Sequence, residues 1–462
     1  MSDFPFGFGK PDDDGDPAEG SGSSGSGGPF PPGGTPGAGG FGSGFPPGTD
    51  IGAALHRFAD MLSWEGGPVN WDLAKDVARQ AAAGDDPAVS AADRQQVTEA
   101  VRLAELWLDP MVSFSAATTA ALAWSRAEWI EATLPTWKTL VEPVATKVVE
   151  AFGGELGSGL LAGMPGMPDL GDRTPEDLPA ELQQMAGPLM SMMRQMGGAM
   201  FGGQVGQALG TLAREVVSST DVGLPLAGTG RAALLPASIA AFGAGLDLPA
   251  DEVRLFIALR EAACHRLFAG VPWLGPRLFA AIEDYARGIS VDTSQLQEGL
   301  SALDPSNPEA IQQALAGGLF EPQNTPAQQA ALTRLETLLA LIEGWIDDVV
   351  SEAARGRLGR SDALAETVRR RRATGGPAEQ TFSTLVGLEL RPRRMRDAAR
   401  LWAALRGSRG VDGRDAVWEH PDLLPSAADL DDPAAFVDQR DIDLDLSGLE
   451  ADDDRGPDEP AG

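Results

Sequence analysis

Apolar residues recur at every third or fourth position through most of residues 50–425, a spacing that predicts amphipathic α-helices. Thr49 or Asp50 can cap the first of these helices. Four stripes show the period most clearly: Ile51, Leu55, Phe58 and Leu62; Val97, Val101, Ala104 and Leu108; Trp137, Leu140, Val144 and Val148; and Val205, Leu209, Leu212 and Val216. Alternating apolar and polar runs of five or more residues, which would predict strands, are hard to find. The pattern therefore predicts an all-α, mainly helical globular protein.

The two ends of the chain differ in composition from the middle. Residues 1–49 contain 16 Gly and 9 Pro, so they have too little apolar surface to offset the entropy of ordering the chain. Residues 426–462 contain 13 Asp or Glu against 2 Arg. We therefore predict disordered tails over 1–49 and 426–462, and a helical domain over 50–425 that the Pro- and Gly-rich stretch near 155–180 could subdivide.

Charge and cysteine content narrow the class of protein. The 462-residue chain has a formal net charge of −31, which repels phosphate backbones and anionic lipid surfaces. One cysteine cannot form an internal disulfide, and the sequence has neither a run of eighteen apolar residues nor a signal peptide. We expect a cytoplasmic protein that binds neither nucleic acid nor membranes and whose partner is an unidentified protein or peptide.

Two segments of unusual composition lie inside the predicted domain. Six methionines between Met185 and Met200 favour core packing or a lid over a soft-metal site, and small residues from Gly197 to Gly206 permit two helices to approach closely. Arginines cluster at Arg369–Arg372 and again at 391, 393, 394 and 396. This basic cluster could bind an acidic or phosphorylated partner, but pairing with the acidic C-terminal tail or a solvated helix face is favoured.

The segment Val253–Ile289 carries the strongest chemical signal. One broad face of its first helix holds Val253, Phe256, Ile257, Arg260, Cys264, Leu267 and Phe268. A zinc peptidase helix needs two histidines four positions apart as metal ligands, and a glutamate after the first histidine to activate the bound water. Here these five positions read Arg260-Glu261-Ala-Ala-Cys264, and His265 comes one position too late.

Four sequence blocks around this segment resemble the actinobacterial zincin-like metallopeptidase type 2 family, whose members are often named hydrolases or zinc-dependent metalloproteases. The resemblance covers most of residues 50–433. The blocks are FGGQVGQALGTLAREVVSSTDVGLPL (Phe201–Leu226), REAACHRLFAGVPWL (Arg260–Leu274), FSTLVGLELRPRRMRDAARLWAAL (Phe382–Leu405) and DAVWEHPDLLPSAADLDDP (Asp415–Pro433). The resemblance implies a mostly helical fold, zinc as the cofactor and peptide hydrolysis as the chemistry. It also implies an alternative accessory role, because one branch of the family is linked by genome neighbourhood to deazaflavin cofactor metabolism.

Transferred residue by residue, the family motif places Glu261 at the general-base position, Arg260 at the first ligand position and Cys264 at the second. Arginine cannot ligate a cation, because its guanidinium stays charged and offers only donors. Cysteine can ligate zinc as a thiolate. The metal motif is therefore degenerate, and the resemblance leaves open whether the chain is an active enzyme.

Several candidates remain for the missing ligands. Glu283 and Asp284, which follow Cys264 by 19 and 20 residues, lie at a distance suited to the third ligand of a zincin. His265 lies four positions after Glu261, so these two residues and Glu283 form an alternative carboxylate-rich set. Zinc remains the candidate cofactor, although a catalytic zinc site needs three protein ligands.

The competing interpretation of the same residues is structural, and we favour it. Glu261 and His265 would form a hydrogen bond along the helix, and Arg260 would pair with one of the two acids of the next helix. Cys264 would pack as a small apolar side chain. His420 precedes a proline and is expected to be extended, so it reaches the site only if it folds back. We therefore expect weak or no zinc peptidase activity, with a non-catalytic interaction or accessory protein as the alternative.

Overall fold

The described part of the chain is mainly helical, which confirms the predicted fold class. The computed structural model describes residues 67–151, 180–287, 326–373, 381–383, 385 and 394–439. Its helices are α1 (Trp71–Ala82), α2 (Ala91–Leu108), α3 (Arg126–Ala151), α4 (Ala180–Ala213), α5 (Pro236–Gly243), α6 (Ala250–Gly270), α7 (Leu274–Arg287), α8 (Pro326–Ala354), α9 (Ser361–Ala373), α10 (Met395–Asp415) and α11 (Pro433–Gln439). None of them is long and apolar enough to cross a membrane. The predicted N-terminal tail, the stripe from Ile51 to Leu62 and most of the stretch near 155–180 lie outside the described residues.

Predicted apolar stripes form buried helix faces. The α2 stripe of Val97, Val101, Ala104 and Leu108 is buried. The helix begins at a capping box, in which Ser90 and Asp93 each accept a hydrogen bond from the other's backbone N–H, an arrangement that satisfies backbone donors at a helix start. The α4 stripe is also buried, although Val216 lies just beyond the end of that helix.

Close packing of α4 against α1 confirms the role predicted for the glycine-rich segment. A Cβ atom at Gly202 would lie 2.6 Å from the carbonyl oxygen of Asn70, and one at Gly206 would lie 2.5 Å from that of Ala74. Any larger side chain at either position would force the two helices apart. The side chains of the methionines from Met185 to Met196 lie outside the described residues.

A two-stranded parallel sheet, which the hydrophobic pattern did not predict, lies beside the helices. It pairs β1 (Ala120–Ala123) with β2 (Arg231–Leu234), with Ala120 opposite Arg231. Residues 232–234 are buried. Short parallel strands covered on both faces are uniformly apolar, so they lack the alternation that identifies a strand in sequence.

Helix α6 is enclosed on all sides by α2, α5, α8, α9 and β2. Every residue from Leu255 to Phe268 is buried. The broad face identified in the sequence, which carries Arg260 and Cys264, is buried, and so are the other faces of this helix. Its charged side chains are buried because each has a partner: Arg266, for example, donates to Glu105 and Asp109, both at 2.6 Å.

The folded domain extends beyond the predicted boundary at residue 425. Helix α11 lies at 433–439 and packs against α10. Leu430, Phe436 and Val437 are buried. The start of the C-terminal tail was therefore predicted too early in the chain. The segment has many acidic and few apolar residues, so its composition resembles that of a disordered tail although its apolar side chains are buried. Residues 440–462 lie outside the described part of the chain.

Candidate functional site

The residues of the zincin-like motif point to two different sides of α6. Arg260 and Cys264, one helical turn apart, line a pocket against α8 and α9. Glu261 and His265 are fully buried on another side, where they contact β2 and the segment that precedes it. Arg260 and Glu261 are consecutive residues, as are Cys264 and His265. Consecutive residues of a helix with 3.6 residues per turn do not share a face, so the two pairs lie on different sides of α6.

The carboxylate of Glu261 accepts five hydrogen bonds. Two come from the hydroxyl and backbone N–H of Thr220, at 2.5 and 3.1 Å, and one from the hydroxyl of Ser219. The backbone N–H of Ala233 in β2 donates at 3.0 Å, and Nε2 of His265 at 3.2 Å. Glu261 thus connects α6 to β2 and to the segment that pairs with it, and five donors occupy all its acceptor positions.

Hydrogen bonding orients the imidazole ring of His265. Its Nδ1 lies 3.2 Å from the backbone N–H of Gly230, and its Nε2 lies 3.2 Å from Oε1 of Glu261. This contact confirms the hydrogen bond predicted between the two residues. Both ring nitrogens are engaged, and the side chain is fully buried.

Glu261 is ionised at neutral pH. Burial is the largest single influence and raises the pKa of this carboxyl. The hydrogen bond from His265 and the electrostatic attraction to that residue, together with hydrogen bonds from Ser219 and Thr220, outweigh burial and lower the pKa from its ordinary 4.5 to about 2. A general base near neutral pH needs a pKa close to that pH and a proton donor within reach.

The guanidinium of Arg260 is paired with a carboxylate, as predicted, but the predicted partner is wrong. Its Nη2 lies 2.6 Å from Oε2 of Glu343 on α8. Glu283 and Asp284, the partners predicted from the next helix, occupy exposed positions of α7. The true partner is 83 residues away in sequence, a separation over which spacing carries no information about contact.

The thiol of Cys264 is buried as predicted for a small apolar side chain. Burial raises its pKa, and the negative charge of Glu261 adds to this effect. The thiolate is the form that binds zinc. Without a metal beside it, Cys264 is therefore a neutral thiol.

The candidate ligands do not form a metal site. In the regions the structure describes, which include Cys264, His265, Glu283 and Asp284, no group of three or more His, Cys, Asp or Glu side chains could hold a metal ion. Nor does His420 fold back: it is extended, as predicted, with an exposed side chain that contacts Asp422. Because Arg260 fills the first ligand position, the residues present do not fit a catalytic zinc.

The basic cluster pairs mainly with carboxylates of the folded domain. Arg369 contacts Asp347, Arg370 contacts Glu366, Arg371 contacts Asp221 and Arg372 contacts Glu343, at 2.8 to 3.1 Å. Arg394 contacts Asp431, so one pair reaches the segment predicted as the acidic tail. Sequence reasoning missed Glu343, although its position in the apolar run LLALIEGWIDDVV of α8 is the signal of a buried, paired acid.

The sequence pattern of the zincin-like metallopeptidase family matches residues 69–437. The chain therefore belongs to the zincin-like metallopeptidase family. Its fold is similar to the crystal structure of a protein from Chloroflexus aurantiacus described as a putative hydrolase with a novel fold, with a TM-score of 0.53 and 19% identity over 81% of this chain and 99% of that one. No curated protein matches the chain.

Proposed function

We propose that this protein keeps the frame of a zincin-like metallopeptidase but has weak or no zinc peptidase activity, and that it acts as a binding protein. The observation that carries the proposal is the carboxylate of Glu261, which is fully buried and accepts five hydrogen bonds. In this family member the motif glutamate supports the fold.

The contacts of Glu261 are incompatible with the work of a general base. A base must reach the proton that it removes, directly or through one water. If Glu261 swung towards a substrate, the buried donors of Thr220 and Ala233 would lose their acceptor. Each buried donor left without a partner costs about 1–3 kcal/mol, so the conformation seen here is strongly preferred.

The charge of Arg260 also opposes a metal ion. A fixed positive charge about 5 Å from a divalent cation, at an effective dielectric constant near 20, opposes binding by roughly 7 kcal/mol. The Glu343 carboxylate that could attract a metal is already paired with Arg260 and Arg372, at 2.6 and 3.0 Å. In this arrangement the guanidinium of Arg260 supplies the positive charge beside Glu343 that a metal ion would otherwise supply.

A cytoplasmic location is part of the same proposal. The single cysteine, Cys264, is free and buried, and a thiol without an intramolecular partner suits a reducing compartment.

We expect protein purified without an affinity tag or chelator to contain well below one zinc per chain after dialysis, as measured by plasma mass spectrometry. The reason is that Arg260 and the buried thiol of Cys264 supply no ligand where the family motif needs two. A peptidase with an intact HExxH helix, dialysed in parallel, should retain its metal. Stoichiometric zinc together with a chelator-sensitive peptidase activity that Glu261→Gln abolishes would contradict the proposal.

A further inference from the structure

A pocket opens on the side of α6 that faces α8 and α9. It is narrow, with a cavity volume of about 20 Å³ for the centre of a water-sized group, and its mouth is open to solvent. Charged groups on its wall are Asp221, Arg260, Glu343, Arg371 and Arg372. The fold thus places three guanidinium groups and two carboxylates around one small opening.

One of these guanidinium groups is incompletely satisfied. The side chain of Arg260 is 10% exposed and donates to Glu343 through Nη2. Its Nη1 is buried, and no described residue accepts a hydrogen bond from it. A buried charged donor without an acceptor is costly, so Nη1 marks the place where an acceptor from outside the protein fits.

The balance of charge at the pocket favours an anion with one negative charge. Glu343 lies between Arg260 and Arg372, and Asp221 is paired with Arg371 at 3.1 Å. The two lining carboxylates are therefore compensated, and the groups that line the pocket carry one excess positive charge, with the exposed Glu215 carboxylate as a further neighbour of Arg371. A dianion would bring a second negative charge close to Glu343 and Asp221, which opposes its binding.

The rest of the wall is mixed. Val217, Ile257, Cys264, Ile346 and Val368 are apolar, and Ser218 and Thr220 are polar. A ligand that fits both parts has a carboxylate for the guanidinium, whose planar array of donors matches two carboxylate oxygens, and a short aliphatic portion for the apolar side chains. Inorganic phosphate is partly a dianion near neutral pH and has no apolar portion.

We propose that this pocket binds the carboxylate of a small aliphatic acid or of a peptide C-terminus, with Nη1 of Arg260 as the principal donor. The inference rests on the proposed function, because it requires a guanidinium and not a metal as the cation of the site. A free acid and a peptide C-terminus present the same carboxylate to Arg260. They differ in the part of the ligand that extends towards the mouth of the pocket, which is a short alkyl chain in the acid and the peptide backbone in the peptide.

The test is an NMR-detected titration of the full-length protein at constant ionic strength with sodium propionate, glycylalanine, glycylalaninamide or sodium phosphate. We expect at least one of the two carboxylates to bind, and the amide and phosphate to bind at least tenfold more weakly. Tighter binding of glycylalanine than propionate would assign a peptide C-terminus, and the reverse a free acid. No binding of either carboxylate, or tighter binding of phosphate, would overturn the inference.

Matched variants identify the donor. Arg260→Lys keeps the charge and a partner for Glu343 but lacks Nη1, so carboxylate binding should weaken at least tenfold, whereas Arg277→Lys at an exposed position of α7 should leave it unchanged. If Arg260→Lys does not fold by circular dichroism, Arg260→Gln, which leaves Arg372 as the partner of Glu343, serves in its place. Unchanged binding in the folded variant contradicts the inference.

A chelator separates the two proposals. Carboxylate binding should be the same with and without EDTA. Binding that EDTA removes would contradict both proposals, because a metal would then hold the anion. Absence of carboxylate binding both with and without EDTA would contradict the carboxylate site alone and leave the proposed function standing.

Discussion

Replacing Glu261 with alanine is expected to lower the free energy of unfolding by at least about 4 kcal/mol. The substitution leaves the buried donors of Ser219, Thr220, Ala233 and His265 without their acceptor. Domains are stable by only about 5–15 kcal/mol, so this one change removes a large share of the total. Urea unfolding followed by circular dichroism measures the loss.

Two further variants define the control and the pH dependence. Glu283→Ala, at an exposed position, should change stability by less than about 1 kcal/mol. Because the pKa of Glu261 is lowered from 4.5 to about 2, its ionised form stabilises the fold above about pH 4.5, and this contribution of roughly 3 kcal/mol is lost as the pH falls towards 2. Glu261→Gln should lose that part of the acid sensitivity. A Glu261→Ala protein as stable as Glu283→Ala would contradict a structural role.

The double variant Arg260→His, Cys264→His is expected to bind zinc at least about a hundredfold more tightly than the unmodified protein. Both positions line the pocket that contains Glu343. The substitutions remove the opposing guanidinium and add two imidazoles one helical turn apart. They also free Oε2 of Glu343 to act as a third ligand, while its Oε1 stays paired with Arg372. Competition with a chromogenic chelator measures the affinity.

Glu343 on α8 provides the matched control for this gain of zinc binding. Adding Glu343→Gln to the double variant should reverse most of the gain, because an amide is a poorer zinc ligand than a carboxylate. We expect no peptidase activity to accompany the zinc, since Glu261 remains bound to Ser219 and Thr220. A folded double variant with unchanged zinc affinity would show that the pocket does not correspond to a metal site.

Much of the fold was predictable because helical periodicity is a local signal. The stripes of α2 and α4 are buried as their spacing predicts. The strands β1 and β2, with sequences AALA and RAAL, carry no alternation that could identify them. Burial of the other faces of α6 was not predicted, because partners elsewhere in the chain neutralise its polar residues, such as Arg266, and tertiary contacts decide whether such residues are buried.

The site was predictable only where its contacts are local. The hydrogen bond between Glu261 and His265 follows from their spacing of four residues. Ser219, Ala233 and Glu343 come from other segments, and sequence spacing does not indicate which segments meet. This limit explains why Arg260 was correctly expected to have a carboxylate partner while the partner itself was assigned to the wrong helix.

The central claim is that Glu261 is a permanently ionised structural carboxylate and not a general base. A pH titration of its side-chain carboxyl carbon by NMR, assigned with the Glu261→Gln variant, tests this claim most directly. The structure predicts a pKa of about 2, so the resonance should not titrate between neutral pH and acid unfolding, and added zinc should not shift it. A titration midpoint between about pH 5 and 8, where a general base works, or a shift on addition of zinc would contradict the account.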